Sequence, residues 1–528
     1  MHLKANSPAV AHHGKTLIGF NWIGGREVEG DLPSFDARSA VDSRDIVGIF
    51  PACGERDVEK AARAGAAAFR AWSRTPAAAR AAVIGRIGDL LGKHQHKVAA
   101  VITREVGKVP ADALAEVREA VDLCRLIQGE DWRLGDQAVP VPAPGLVSTV
   151  QRRPLGVVGI LAGSYSPLAQ PMRHLLPAIL CGNTVVWKPS EFAPTTAYLL
   201  VRCMMDAGLA PGVVNVVNGK GHGGCGKHLV AGLDKGLFQK FCFTGSRAVG
   251  RMVGEVAGRN LVPAGLELGG KNTMVVMPGG RLEEAAAAAV HGAFAAAGQR
   301  GAALGNIILH KDVAAEFKER FLAGVDGLAQ GNPISHPEVD LGPMISVRLA
   351  KGFEEHWETG RSDGARLLRG GARWTEENRT GLVQGFISKG SYMQPCVWDE
   401  VTPEMKLFPA QVFGPTVNLC TVDSFDQAVE WANSIPEALS ASLFAGDPDL
   451  TWRFARELEA GLITINREVS AAEANQAFGR TGWNGLREVD GFTRCHAVHE
   501  DALAVPAQAV PEFGGKPIRY EPSHWDRL

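Results

Sequence analysis

What is missing from this chain removes several function classes at the outset. No run of apolar residues approaches the roughly 18 needed to span a bilayer, so no membrane role is expected. Residues 1–15, MHLKANSPAVAHHGK, lack the apolar segment of a secretory leader, and a cytoplasmic location is the expectation. Nine cysteines are scattered with no CxxC pair, and no His/Cys grouping has zinc spacing. They read as reduced thiols, mostly small core residues, with no metal site. Charge of one sign is also lacking. The formal net charge is -2, which gives no bulk attraction to nucleic acid or an anionic surface. There is no internal repeat and no long low-complexity segment.

What is present is ordinary for a large globular chain: 528 residues, 45% hydrophobic and 21% charged. That size suggests two or three domains around sizeable cores. The pattern alternates between helical and extended segments. Asp57 to Trp72 is Ala-rich with apolar spacing of three and four, and Arg80 to Leu91 and Lys97 to Glu105 continue in kind. A short extended segment near Val147 to Val150 precedes a buried-strand run, Gly156 to Leu161. Further strand runs follow at Thr184 to Trp187, Val213 to Val217 and Lys240 to Phe243, with helical segments between. This predicts an α/β fold with a parallel sheet covered on both faces. A second alternating set runs from about Leu282 to Asn466. From Ala502 onward the patterning weakens, as in an arm or partly ordered extension.

Three motifs sit where an open sheet binds ligands, at strand ends. Lys188-Pro189-Ser190-Glu191 follows the second strand run. A Lys and a Glu three residues apart can grip the hydroxyls of a ribose, and the Glu would repel a 2′-phosphate. The plain alternative is a solvated ion pair worth less than about 1 kcal/mol. Phe243-Thr244-Gly245-Ser246, with Gly250, follows another strand and opens a helix. Glycine allows close backbone approach and a helix N-terminus favours phosphate; alternatively this is a turn with Ser246 as an ordinary cap. In Leu266-Glu267-Leu268-Gly269-Gly270-Lys271-Asn272, a carboxylate between apolar neighbours can serve as a general base, or pair structurally with Lys271. Phe294 to Gly301 (FAAAGQRG) and Phe413-Gly414-Pro415 carry no chemistry alone.

Together and in this order, these segments resemble the aldehyde dehydrogenase superfamily, from about Phe20 to Val498, and among its members the semialdehyde dehydrogenases. The resemblance implies a doubly wound NAD-binding domain (20–134 and 149–268) and an α/β catalytic domain (269–466). It also implies a small bridging and oligomerisation element (135–148 and 487–505), with 506–528 as a tail, and assembly into dimers or tetramers. It places cofactor contacts at Lys188, Ser190, Glu191, Phe243, Gly245, Ser246, Gly250, Gln411 and Phe413, with NAD favoured over NADP and its binding weakened. In the family a cysteine thiolate attacks the aldehyde, an asparagine helps hold the oxyanion, and a glutamate activates water.

Here the chain departs from the pattern. Glu267 is retained, but the nucleophile position, second after the Gln of the GQ motif, is Gly301. The asparagine position is Tyr165, the glutamate of the nicotinamide ribose is Gln411, and the arginine five residues beyond the nucleophile is Asn306. Cys225, Cys242 and Cys396 read as incidental thiols rather than substitutes. The expectation is a cofactor-binding protein that does not oxidise aldehydes through a thioester, either a pseudoenzyme or a repurposed enzyme using Glu267 and Tyr165. In that picture Tyr165 faces Gly301 and hydrogen-bonds Glu267. The alternative is an NAD-dependent semialdehyde dehydrogenase that is a mutant or uses another nucleophile.

Overall fold

A computed structural model describes residues 16–141, 146–435, 438–468 and 488–501. The early helical segments form α1 (Glu55–Trp72), α2 (Ala77–Lys93), α3 (Gln95–Val106) and α4 (Pro110–Gln128). Proline at the first turn of α4 costs no hydrogen bond, because that N–H has no partner in a helix. The Asp57 carboxylate accepts from Gly54 N at 3.2 Å, a donor at the α1 N-terminus, and from Asp31 N at 2.8 Å, which ties the helix start to an earlier segment.

The apolar runs become the strands of two seven-stranded sheets. The first contains β1 (Asn21–Ile23), β2 (Arg26–Val28), β3 (Val157–Leu161), β4 (Thr184–Lys188), β5 (Val214–Val216), β6 (Lys240–Gly245) and β7 (Ala264–Leu268). Its order is β7-β6-β3-β4-β5-β1-β2. β3 to β7 pair in parallel, and β1 and β2 add an antiparallel edge. Every residue of β3, β4 and β5 is buried, as both-face coverage demands. Helices α5 (Ala169–Leu180), α6 (Pro194–Asp206), α7 (Cys225–Ala231) and α8 (Arg247–Arg259) make the connections. The hairpin β1–β2 was not foreseen. Its strands are only three residues long, too short for alternation to register.

The second sheet contains β8 (Asn272–Val276), β9 (Leu304–His310), β10 (Arg366–Arg369), β11 (Cys396–Asp399), β12 (Thr416–Val422), β13 (Ser440–Phe444) and β14 (Leu462–Ile465). Its order is β10-β11-β12-β9-β8-β13-β14, parallel except for β10. The chain passes from one sheet to the other at Gly269–Lys271, between the edge strand β7 and the central β8. Helix α9 (Leu282–Phe294) follows β8.

These sheets belong to one compact unit, 1–134 with 154–494. A second unit, 135–153 with 495 onward, is built on a three-stranded sheet of Thr493–Asp501, Leu146–Pro154 and Gln137–Val139. Its bounds differ by a few residues from the expected bridge of 135–148 and 487–505, because strand Leu146–Pro154 continues the element further than its composition suggests. Residue 487, residues 502–505 and the expected tail lie outside the described residues.

In the first sheet β3 leads to β4 and β5 on one side, and the chain then returns to place β6 on the other side of β3. Such a reversal opens a crevice at the carboxyl ends of β3 and β6. Fully buried Asn183 pins the entry to β3. Its Oδ1 accepts from Leu155 N at 2.7 Å and Gly156 N at 3.0 Å, while Nδ2 donates to Phe492 O at 2.9 Å and Ala178 O at 3.2 Å. Leucine would fill the volume but leave Leu155 N, Gly156 N and Phe492 O without this partner. Asn183→Leu is expected to lower stability by at least about 3 kcal/mol, measured by denaturant unfolding; a loss under about 1 kcal/mol would refute this role.

Candidate active site

The crevice is lined first by the loop after β4. Lys188 is almost fully buried, and its Nζ meets Glu191 Oε2 at 3.3 Å. The same Glu191 oxygen accepts from Gly221 N at 3.0 Å, so the carboxylate is fixed at the strand end. Ser190 is buried and its Oγ accepts from Phe192 N at 3.2 Å, a structural use. The loop after β6 is shaped by Phe243, whose ring would lie 2.6 Å from any Cβ at Gly245. Ser246 stands at the N-cap of α8 with no side-chain cap bond. A Cβ at Gly250 would meet Leu268 at 2.2 Å; glycine lets α8 close onto β7. A fixed ribose-type carboxylate, a glycine cradle and an uncapped helix N-terminus fit the adenosine and pyrophosphate portions of NAD.

Glu267, on β7, does not pair with Lys271 or with Tyr165. Its Oε2 accepts from Thr244 Oγ1 at 3.0 Å and Gln170 Nε2 at 3.3 Å, and Gln170 also donates to Thr244. His174 Nε2 lies 3.3 Å from Glu267 Oε1 and 3.3 Å from Thr244 Oγ1. Burial holds the His174 imidazolium below its ordinary range, against the pull of Glu267, so the ring is neutral near pH 7. Gln170 and His174 escaped the sequence reading. Their signal was present: two polar residues four apart on one face of α5, whose only other charged or polar side chain is Arg173. Lys271 instead lies across Gly305, where a Cβ would meet its side chain at 2.5 Å. Burial pushes its ammonium down to about 8.

Tyr165, in the loop after β3, has a different set of neighbours from those expected. Its ring lies 5.0 Å from Lys108 Nζ, a cation–π contact. Lys108 pairs with Glu116 Oε2 at 2.5 Å, and Glu116 Oε1 accepts from Leu168 N and Ala169 N at the start of α5. The loop bearing Tyr165 is thus braced by a buried ion pair. Burial raises the phenol's pKa, opposed by Lys108 and Arg300, and no hydrogen bond to its hydroxyl is seen among the described residues. A larger ring in place of an amide turned toward the nearest cation, not toward the carboxylate.

The GQ segment supplies the other wall. Gln299 is structural: Oε1 accepts from Ile345 N at 2.9 Å, and Nε2 donates to Ala296 O and Pro343 O. Arg300 Nη2 donates to His291 O at 3.0 Å. Asn272 Nδ2 donates to Gly301 O at 3.0 Å and Ala303 O at 2.8 Å, tying this segment to the one that carries Glu267. Gln411 lies against Gly269, where a Cβ would meet its amide at 1.9 Å. Gly270, Lys271, Gly298, Arg300 and Gln411 enclose a void of about 10 Å³. Phe413 stands beside Gly414, whose carbonyl faces Gly298. Asn306 is fully buried, donating to Phe408 O at 3.0 Å and accepting from Asn418 at 2.8 Å. Eight cysteines are buried and Cys495 is exposed. Cys242 lies within β6, Cys225 donates to Val217 O at 3.7 Å, and burial pushes Cys396 up to about 12. None stands on the loops that line the crevice.

Ala296, Ala297 and Gly298 hold left-handed φ of 53°, 54° and 66° in succession. A Cβ at Gly298 would meet Gly414 O at 2.1 Å. Ala297→Gly is expected to be neutral or to stabilise by about 0.5 kcal/mol, reversing the usual cost of that change. Gly298→Ala is expected to cost at least about 2 kcal/mol. Thermal unfolding of both variants checks this; equal effects would show that the backbone here is not strained.

No helix among the described residues is long and apolar enough to cross a membrane, and no His/Cys/Asp/Glu grouping among them could hold a metal. The aldehyde dehydrogenase family matches residues 28–490. The chain is 32% identical over 482 residues to an α-ketoglutaric semialdehyde dehydrogenase of Bacillus subtilis, covering 90% of this chain and 94% of that one. It is 30% identical over 483 residues to malonate-semialdehyde dehydrogenase 1 of Geobacillus thermodenitrificans, covering 90% and 96%. An NAD-dependent aldehyde dehydrogenase from Sinorhizobium meliloti superposes with a TM-score of 0.86 at 29% identity, covering 97% of this chain and 98% of that one. A 1-pyrroline-5-carboxylate dehydrogenase from Thermus with bound NAD gives 0.85 at 27%, covering 92% and 93%. A family match over residues 28–490 and a relative 32% identical over 90% of the chain show that this chain belongs to the aldehyde dehydrogenase family.

Proposed function

We propose that this protein binds NAD beside a small aldehyde-bearing ligand and does not oxidise that ligand through a thioester. The observation that carries this is Gly301: glycine offers no nucleophile, and the loops around it contain no thiol. NAD supplies a hydride acceptor when bound. Lys188, Glu191, Gly245 and Ser246 would hold its adenosine and phosphate end, and Gln411, neutral where a carboxylate is usual, would hold the other end loosely. Glu191 disfavours a 2′-phosphate, so NAD is the expected partner and NADP the lesser one. Calorimetry should show NAD binding at least about tenfold tighter than NADP, since one like-charge contact is worth about 1.4 kcal/mol or more. Preference for NADP would remove the role given to Glu191.

A second reading is NAD-dependent oxidation of a small semialdehyde by another nucleophile. The names of the relatives favour it more than they favour a loss of activity, since they are oxidising dehydrogenases. The space at position 301 separates the two. Among the described residues, a Cβ built there meets nothing nearer than Leu439 at 4.0 Å, an ordinary van der Waals distance, so Gly301→Cys should fold within about 0.5 kcal/mol of the parent. Parent protein should form no NADH in an iodoacetamide-sensitive manner from semialdehydes, whereas Gly301→Cys with Tyr165→Asn should. Robust, alkylation-sensitive turnover by the parent would establish the second reading. We further read the small unit as the assembly element of a cytoplasmic dimer or tetramer; light scattering giving a single chain of 56.1 kDa would refute that.

A further inference from the structure

We propose that Glu105, on α3, is the positioning residue of the cofactor loop: its carboxylate holds the N-terminus of α6, and through it the turn that carries Ser190 and Glu191. The inference rests on the reading above that this loop binds NAD. Local preferences do not account for a glutamate here. It stands in the last turn of α3, where the helix dipole disfavours an anion, and it is 1% exposed. Burying a carboxylate is costly unless hydrogen bonds compensate it.

Those bonds come from α6, 90 residues further along the chain. That helix has no cap of its own. Ala193 at its N-cap carries no acceptor in its side chain, and Pro194 at its first position has no N–H. The first free amides are those of Thr195 and Thr196, and Glu105 takes both. Its Oε1 accepts from Thr195 N at 2.6 Å, and its Oε2 accepts from Thr196 N at 2.9 Å and from Thr196 Oγ1 at 2.7 Å. Both threonines are buried. A short turn joins this helix start to the site. Ala193 N donates to Ser190 O at 3.2 Å, and Phe192 N donates to Ser190 Oγ at 3.2 Å. Glu191, inside the turn, accepts from Gly221 N at 3.0 Å and meets Lys188 at 3.3 Å. Glu105 thus fixes where α6 begins, and hence where Glu191 stands, without reaching a ligand itself. The groups that bond it are neutral: two amides and a hydroxyl. Burial pushes its carboxyl up to about 7, against the bonds of Thr196 and Thr195. A proton on Glu105 would turn an O–H donor toward groups that are themselves donors.

The test is calorimetry of full-length protein with NAD and with NADP, alongside thermal unfolding of the same samples. Glu105→Gln keeps the shape but presents an amide N–H to amide donors. It should weaken NAD about tenfold in folded protein and cut the preference for NAD over NADP at least about threefold, because a displaced Glu191 discriminates less. A role in packing alone would lower the unfolding temperature and leave that preference unmoved. In a Glu191→Gln background, Glu105→Gln should not change the NAD to NADP ratio, since both act on one contact. Thr196→Val, which removes only the hydroxyl bond, should weaken NAD about two- to threefold. Parent affinity for NAD should fall from about pH 8 to about pH 6, as Glu105 takes up its proton, and the fall should be absent from Glu105→Gln. If Glu105→Gln does not fold, Thr196→Val and the parent's pH profile decide. Parental preference in folded Glu105→Gln would overturn this proposal alone, as would full NAD affinity in Thr196→Val with a flat parent profile. A parent that binds no NAD, or that prefers NADP, would instead overturn the function proposed above.

Discussion

The side-chain amide of Asn272 joins three pieces of chain that share no sequence proximity. It donates to the carbonyls of Gly301 and Ala303, and its Oδ1 accepts from Ser440 N at 2.9 Å. Asn272 begins β8, Leu304 begins β9 and Ser440 begins β13, so one buried amide sets the relative height of three central strands. Because β7 ends only four residues earlier, the same amide fixes how far Glu267 stands from the Gly301 segment. Each bond is modest by itself, but all three partners are backbone groups that burial would otherwise leave unpaired. Any chemistry in the crevice depends on this joint, whatever side chain occupies position 301.

The strands and helices were legible because their burial is simple. Runs such as VVGIL and TVVWK lie in the middle of a parallel sheet, where every face is covered and alternation disappears. The helices declare themselves through spacing, and the strand-end motifs through glycines beside charged residues. The parts that were not legible depend on partners distant in sequence. Tyr165 was expected to bond Glu267, but Lys108 lies nearer to its ring, and Lys108 is there because Glu116 caps the start of α5. Nothing local to Tyr165 announces either residue. The left-handed turn at Ala296 and Ala297 was likewise invisible, since alanine carries no preference for it; the packing of Gly298 on Gly414 imposes it.

Positions 306 and 411 both carry neutral amides. A cation at position 306 and an anion at position 411 would each have to be compensated in a low-dielectric setting. Here both are amides. Asn306 finds Phe408 O and Asn418 within the second sheet, and Gln411 lies flat against Gly269. Lys271, left near this region, makes no carboxylate pair among the described residues and has its ammonium form disfavoured by burial. Neutral side chains at both positions let these segments pack without ionic contacts.

Glu267 stands apart from that trend. Its charge is kept, and it is elaborately held, with Thr244, Gln170 and His174 around a single carboxylate. Two of those holders lie on α5, one turn apart, and the third is in the motif that shapes the phosphate cradle. A carboxylate kept only as a relic would gain nothing from polar neighbours placed in an apolar helix, where each carries a desolvation cost of about 1–3 kcal/mol unless bonded. Replacing all four by apolar residues of similar volume would be the cheaper core. The whole cluster is therefore costlier than an apolar core would be, and its polar contacts hold Glu267 in one place.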